Sequence, residues 1–347
     1  MEKEIGDWKL EIGSRRAPIS NFQFSILNSQ FLILLPLIFL LTACTSTPPV
    51  AKIGLIAPFE GLYRRTGYAA LDATRAALAD AGIDASEIGV IPLALDDLAD
   101  PNRARRSAEK LMVDQTIIAV LGPLSPATAE AAKDALADAP LWIAPYAVDP
   151  TGGFADPAEA TAWANDLVAA VASAARQQGA ERLVLAGWTP GWPAYTGDEW
   201  PAIADMPILL SDDPALVRAD DAVFWLGDAA GGARYLTDLR TRRPDVPVWL
   251  GPPGGDPVFV ERMSGKMPGR LHGVYWATWE AIDYHAPHFP DTPNAQLVYL
   301  ATRAALDPLV GAPAVDSMSL PAVRIPQWRV RFFSFNDEGV SQPVTFE

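Results

Sequence analysis

From Ala51 onward, short β-branched and apolar runs alternate with stretches of helical periodicity, which confines the chain to layered α/β architecture built from βαβ units and parallel strands. Strands are expected at 52–57 (KIGLIA), 90–95, 116–121 and 141–145, and in a second series at 182–186, 207–210, 222–226 and 246–250. Helices are expected between them. Residues 66–81 place Leu71, Thr74, Leu78 and Ala81 on one face and stop at Gly82, while 101–113 place Ala104, Ala108, Leu111 and Met112 on one face. The two βα series look like duplicated architecture.

One local device recurs. Asp100-Pro101, Ser125-Pro126, Asp156-Pro157, Asp256-Pro257 and Thr292-Pro293 each set a side-chain oxygen before a proline whose missing N–H and fixed φ suit the first helical position. Each pair marks a helix start. The loops before such helices lie at the carboxyl ends of strands, where open α/β sheets bind ligands.

Upstream, residues 31–44 (FLILLPLIFLLTAC) form an apolar run broken by Pro36 and ending in Cys44, the only cysteine. The run is short of the roughly 20 residues that a membrane-spanning helix needs, so it reads as a signal-peptide core. It resembles a bacterial lipoprotein signal, in which the thiol is lipidated; a plain secretory signal with an unrelated cysteine is the alternative. Residues 1–43 are then leader, residues 44–50 a lipidated tether, and the body lies outside the cytoplasm. The leader's near-duplications, IGDWKLEIG at 5–13 and FSILNSQFLIL at 24–34, point to a translation start placed too far upstream.

The body of about 300 residues exceeds what one growing core accommodates, so two lobes are expected. The net charge of −15 repels nucleic acid and anionic lipid, which removes nucleic acid as a partner. With Cys44 lipidated no thiol is left for a disulfide or a zinc–thiolate site, so the fold relies on packing. No cofactor or metal is implied: three scattered histidines (272, 285 and 288) have no metal-ligand spacing, and no Walker loop, GxGxxG or G-x-S-x-G motif is present. The GDAAGG stretch at 227–232 follows a strand and is expected to open a helix by close backbone approach. Asp96, Asp97 and Asp100 lack a further ligand at regular spacing and read as a solvated strand end. No arrangement of base, nucleophile and oxyanion donor is visible, so the chain is not read as an enzyme.

Four segments of the first half, IGLIAPFEGLYRRTGYAALDATRAALADAG (53–82), DDLADPNRARRSAEKLMVD (96–114), AVLGPLSPATAEAA (119–132) and APLWIAPYA (139–147), occur in the order seen in a known family. Looser matches follow at 219–240, 246–252 and 269–278. From Lys52 to the C-terminus the chain resembles the periplasmic-binding-protein type I family, particularly the branched-chain amino-acid branch of ABC-transporter substrate-binding lipoproteins.

That resemblance implies two Rossmann-like lobes with parallel sheets, joined by three crossover segments and hinging over a ligand. The first lobe would take 51–148 plus 276–320 and the second 149–275 plus 321–347. It also implies a set of ligand contacts. Ser125 caps the helix after the third strand and is the leading ligand contact, with Tyr146 and Ala147 after the next strand; the positions at which the family grips a carboxylate read Pro126, Tyr146 and Val148 here, so two of those grips are weakened. Tyr63 matches an aromatic of the first-lobe loop. Trp188, Trp192 and Tyr195 are candidates for the ring that closes over the ligand. Pro253 stands where the family places the acid that meets an ammonium, so Asp228 or Asp256 would substitute. Arg64 and Arg65 are expected in solvent, and Tyr275, Trp276 and Trp279 in hinge packing. The function implied is delivery of a small polar or amino-acid-like molecule to an ABC permease. The alternative is a binding fold that has lost its small ligand and docks to a cell-envelope enzyme or sensor.

Overall fold

The computed structural model describes residues 50–81, 89–145, 157–187, 200–263, 271–281, 284–310, 328–336 and 338–346. Cys44, Tyr146, Ala147, Trp188, Trp192 and Tyr195 lie outside them, as does the apolar run at 31–44. Among the described residues no helix is long and apolar enough to cross a membrane.

Strands β1 (Val50–Ala57), β2 (Gly89–Asp96), β3 (Ile117–Leu121) and β4 (Trp142–Ile143) form a parallel four-stranded sheet in the order β2-β1-β3-β4. It is flanked by α1 (Arg64–Asp80), α2 (Pro101–Met112) and α3 (Pro126–Leu136). The second sheet contains β5 (Arg182–Ala186), β6 (Ile208–Leu210), β7 (Asp221–Trp225), β8 (Val248–Leu250), β9 (Val274–Ala281), β10 (Trp328–Phe335) and β11 (Ser341–Val344), ordered β11-β10-β9-β8-β7-β5-β6. Its strands from β5 to β9 run parallel, while β10 and β11 are antiparallel additions. The remaining helices are α4 (Pro157–Gln177), α5 (Trp200–Ala204), α6 (Ala229–Arg242), α7 (Pro257–Met263) and α8 (Pro293–Val310).

Period-two alternation explains how both faces of each sheet are covered. Along β1, Ile53 and Leu55 enter one apolar cluster while Ile56 enters another with Leu111 of α2 and Leu136 of α3. Along β5, Leu183 and Leu185 join the first cluster, whereas Val184 packs with Leu236 and Leu239 of α6. The first cluster is continuous between the sheets, running from Ile53 and Leu55 through Leu167 of α4 and Val298 of α8 to Phe224 and Trp249.

Helix starts follow the Xaa-Pro pairs. Helices α2, α3, α4, α7 and α8 begin at Pro101, Pro126, Pro157, Pro257 and Pro293. Asp100 Oδ1 accepts the Arg103 N–H at 2.8 Å, and Asp256 Oδ1 that of Val258 at 2.8 Å. The glycine stretch at 227–232 opens α6 as expected: Asp228 caps it, and a Cβ on Gly231 would come within 2.9 Å of the Trp225 ring.

The chain passes from the smaller sheet to the larger after β4, returns after β9 to place α8 against α1, and passes back before β10. The boundary expected at 276 falls inside β9, which pairs within the larger sheet along its whole length. Tyr275 and Trp276 accordingly pack inside that sheet and not at a hinge: Tyr275 stacks on Trp249 at 5.2 Å and Trp276 on Phe333 at 4.4 Å between ring centroids.

Candidate functional site

The carboxyl ends of β1, β2 and β3 meet those of β7 and β8 across a cavity of about 300 Å³. That is the small end of the ~300–1,000 Å³ range of ligand pockets. Tyr63, Ser125, Asp228 and Asp256, all expected at the site, line it together. So does Asp97, which was not.

Ser125 is positioned by an unusual turn. Gly122 has φ +82°, and a Cβ there would meet the Ile56 carbonyl oxygen at 2.1 Å, so only glycine lets β3 run into this loop. The Ser125 hydroxyl then closes a capping box with Thr128, the two side-chain oxygens 2.7 Å apart. It serves the helix start first; α3 presents its N-terminal turn, with Ala127 and Thr128, to the cavity.

On the opposite wall the two candidate acids are already engaged. Asp228 Oδ1 accepts the Gly231 N–H at 2.8 Å, capping α6, and also the Tyr63 hydroxyl at 2.7 Å. Tyr63 in turn accepts the Ala230 N–H at 3.1 Å. Burial, reinforced by the hydrogen bond to Asp228, pushes the Tyr63 phenol above its ordinary range, so it remains a donor. Asp256, with Oδ1 on the Val258 N–H, takes the Thr66 hydroxyl on Oδ2. Its carboxyl is raised chiefly by burial. At the rim Arg65 pairs with Glu261 at 2.6 Å, so Arg65 is not simply solvated. The halves are thus held together around the cavity by their own side chains.

The aspartate cluster after β2 corrects the expectation of a solvated strand end. Asp96 accepts the backbone N–H groups of Phe59, Glu60 and Leu98. Asp100 caps α2. Asp97 is turned inward and is only 1% exposed, because Leu98 and Ala99 adopt left-handed φ of 52° and 54° and fold the loop back over it. Its Oδ1 accepts the Ala99 N–H at 2.9 Å, while no donor reaches its buried Oδ2. Burial pushes the Asp97 carboxyl up to about 6, and the neighbouring charges of Asp96 and Asp100 add to the shift. Asn294, at the start of α8, also lines the cavity. Its Nδ2 donates to the Pro252 carbonyl at 2.9 Å, leaving Oδ1 buried without a partner. The sequence signal for Asp97 was only its place directly after a strand. Among the described residues no group of three His, Cys, Asp or Glu side chains could hold a metal ion.

Comparison with known proteins agrees with this geometry. Residues 50–205 match the periplasmic binding protein family. No protein of curated function matches the sequence. Among solved structures, a possible leucine/isoleucine/valine-binding protein of Rhodopirellula baltica SH 1 is 13% identical with a TM-score of 0.61, covering 87% of this chain and 98% of its own. A leucine-binding protein, LivK, of Thermotoga maritima MSB8 is 15% identical with a TM-score of 0.61 over 85% of this chain and 98% of that one. The LivJ substrate-binding protein of Streptococcus pneumoniae, solved with isoleucine, is 14% identical with a TM-score of 0.57 over 85% of this chain and 99% of that one. The chain therefore has the fold of the type I periplasmic binding proteins, and its first half matches that family's model.

Proposed function

We propose that the chain is a solute receptor of an ABC importer, held outside the cytoplasm by lipid on Cys44, which encloses a small polar or amino-acid-like molecule between its halves and hands it to a permease. The observation that carries this reading is the cavity itself, lined from both sheets by Tyr63, Ser125, Asp228 and Asp256 at strand carboxyl ends. The isoleucine held by the pneumococcal structure supports the ligand class. The apolar run ending at Cys44 supports the anchor. The two-lobe division, with its boundary moved to the end of β9, supports a hinged closure. Binding and release require no bond to break, so no catalytic residue is assigned. Tyr146, Ala147, Trp188, Trp192 and Tyr195, named by the resemblance, are proposed as further ligand contacts.

Thermal-shift screening of the body against amino acids, amides, short peptides and aromatic acids tests this. A ligand at about 100 times its Kd stabilises by about 2.7 kcal/mol, a readable rise in Tm. A flat response across the panel favours the second reading, a docking lipoprotein without a small ligand. The bonds Tyr63–Asp228, Thr66–Asp256 and Arg65–Glu261 support that alternative, because they join the halves through the protein's own side chains.

A further inference from the structure

Two polar atoms of the cavity wall are buried and unpaired, and both accept hydrogen bonds. Asp97 Oδ2 is reached by no donor, although the residue is 1% exposed. Arg234, the one cation among the described lining residues, does not reach it either. Asn294 Oδ1 is unpaired as well, and its amide cannot be turned over without setting oxygen against the Pro252 carbonyl. Buried acceptors without donors are rare in folded proteins, since each forfeits the hydrogen bonds that water gave it. The acids of the opposite wall differ: Asp228 and Asp256 already hold helix-capping amides and the hydroxyls of Tyr63 and Thr66.

We propose that Asp97, with Asn294 lining the same cavity, is the anchor for the cationic end of the ligand, so that the receptor selects molecules carrying an ammonium or amidinium group and binds that group in the lobe of the smaller sheet. This rests on the receptor reading above. The carboxylate of Asp97 supplies a full negative charge in a water-poor wall, where a charge-assisted bond to N⁺–H is strong. Asn294 supplies a second, neutral acceptor for another N–H of the same group. Burial pushes the Asp97 carboxyl up to about 6, and a cation beside it opposes that shift by favouring the charged form. The left-handed backbone at Leu98 and Ala99 keeps the side chain in place before the ligand comes.

The test is calorimetric titration of the whole body with scaffolds offered with and without a cationic nitrogen: leucine, leucinamide and isocaproate; phenethylamine and phenylacetate; and agmatine. The amine-bearing or amidine-bearing member of a set is expected to bind, and Asp97→Asn is expected to weaken it by about tenfold or more, because an amide N–H then faces the ligand's own donors. Asn294→Ala, which removes only the neutral acceptor, is expected to weaken it less. The unliganded Tm of each variant shows that it folds; should Asp97→Asn fail, Asn294→Ala still tests the acceptor pair. Equal binding of a cationic probe by wild type and Asp97→Asn, or binding of the carboxylates alone, overturns the Asp97 assignment and leaves the receptor reading intact. Silence of the wild-type protein to every probe here and to the broad thermal-shift panel overturns both.

Discussion

The Tyr63 hydroxyl donates to Asp228 Oδ1 across 2.7 Å, joining two residues 165 positions apart and with them the two halves of the molecule. The same oxygen accepts the Ala230 amide at 3.1 Å, so a single phenol ties the N-terminal turn of α6 to the loop before α1.

Tyr63→Phe keeps the ring and deletes both bonds. The variant is expected to lose about 1 kcal/mol of stability in urea unfolding. Its unliganded radius of gyration in X-ray scattering is expected to rise as the halves part. An unchanged radius would show that this bond does not hold the closed form.

Asp97 sets a pH dependence with a definite sign. Its folded carboxyl lies at about 6 and its unfolded one near 3.9, so the folded state binds the proton more tightly. The contribution is full below about pH 4 and is lost as pH rises through about 6, a change of roughly 3 kcal/mol. Asp97→Asn is expected to be more stable than wild type at neutral pH and to flatten that limb of the profile. Denaturant unfolding between pH 4 and pH 8 measures it.

Asp114 works in the opposite sense. The Lys52 ammonium 2.7 Å away, with the Thr116 hydroxyl and amide, holds its carboxyl down at about 2. Its contribution is present above about pH 4 and is lost as pH falls through about 2. Lys52→Met is expected to shift the acid-unfolding midpoint upward, read by far-UV circular dichroism.

Tyr299 is fully buried and donates to Asp80 Oδ2 at 2.7 Å, while His288 contacts Asp80 Oδ1 at 2.6 Å through its ring and Oδ2 at 3.0 Å through its amide. Burial alone would raise the Asp80 carboxyl; these bonds outweigh it and hold the group below its ordinary range. Tyr299→Phe is expected to cost about 2 kcal/mol, the typical loss of a hydrogen bond to a charged group, as measured by equilibrium unfolding. His288 thus has a structural role that its spacing from the other histidines did not disclose.

What could be read in advance divides along the range of the forces involved. Helix starts were legible because Asp100-Pro101 or Ser125-Pro126 is a complete local instruction: an oxygen for the orphan amides and a ring fixed at helical φ. Central strands such as β1, β3 and β5 were legible because burial on both faces leaves an unbroken apolar run. Strand β9 was read as a hinge because its aromatic residues find partners, Trp249 and Phe333, far along the sequence. Asp97 was read as solvated because its inward turn depends on left-handed backbone at Leu98 and Ala99, two residues whose type does not announce it. Asp228 and Asp256 were found as candidates, but their bonds to Tyr63 and Thr66 are long-range and carry no local mark.

The apolar body that runs from Ile53 through Leu167 and Val298 to Trp249 belongs to both sheets at once. Parting it would wet a large hydrocarbon area, whereas parting the cleft gives up a handful of hydrogen bonds that water replaces almost in kind. In the receptor proposed above, the halves would therefore rock about this oily axle, and a guest would enter by the polar rim.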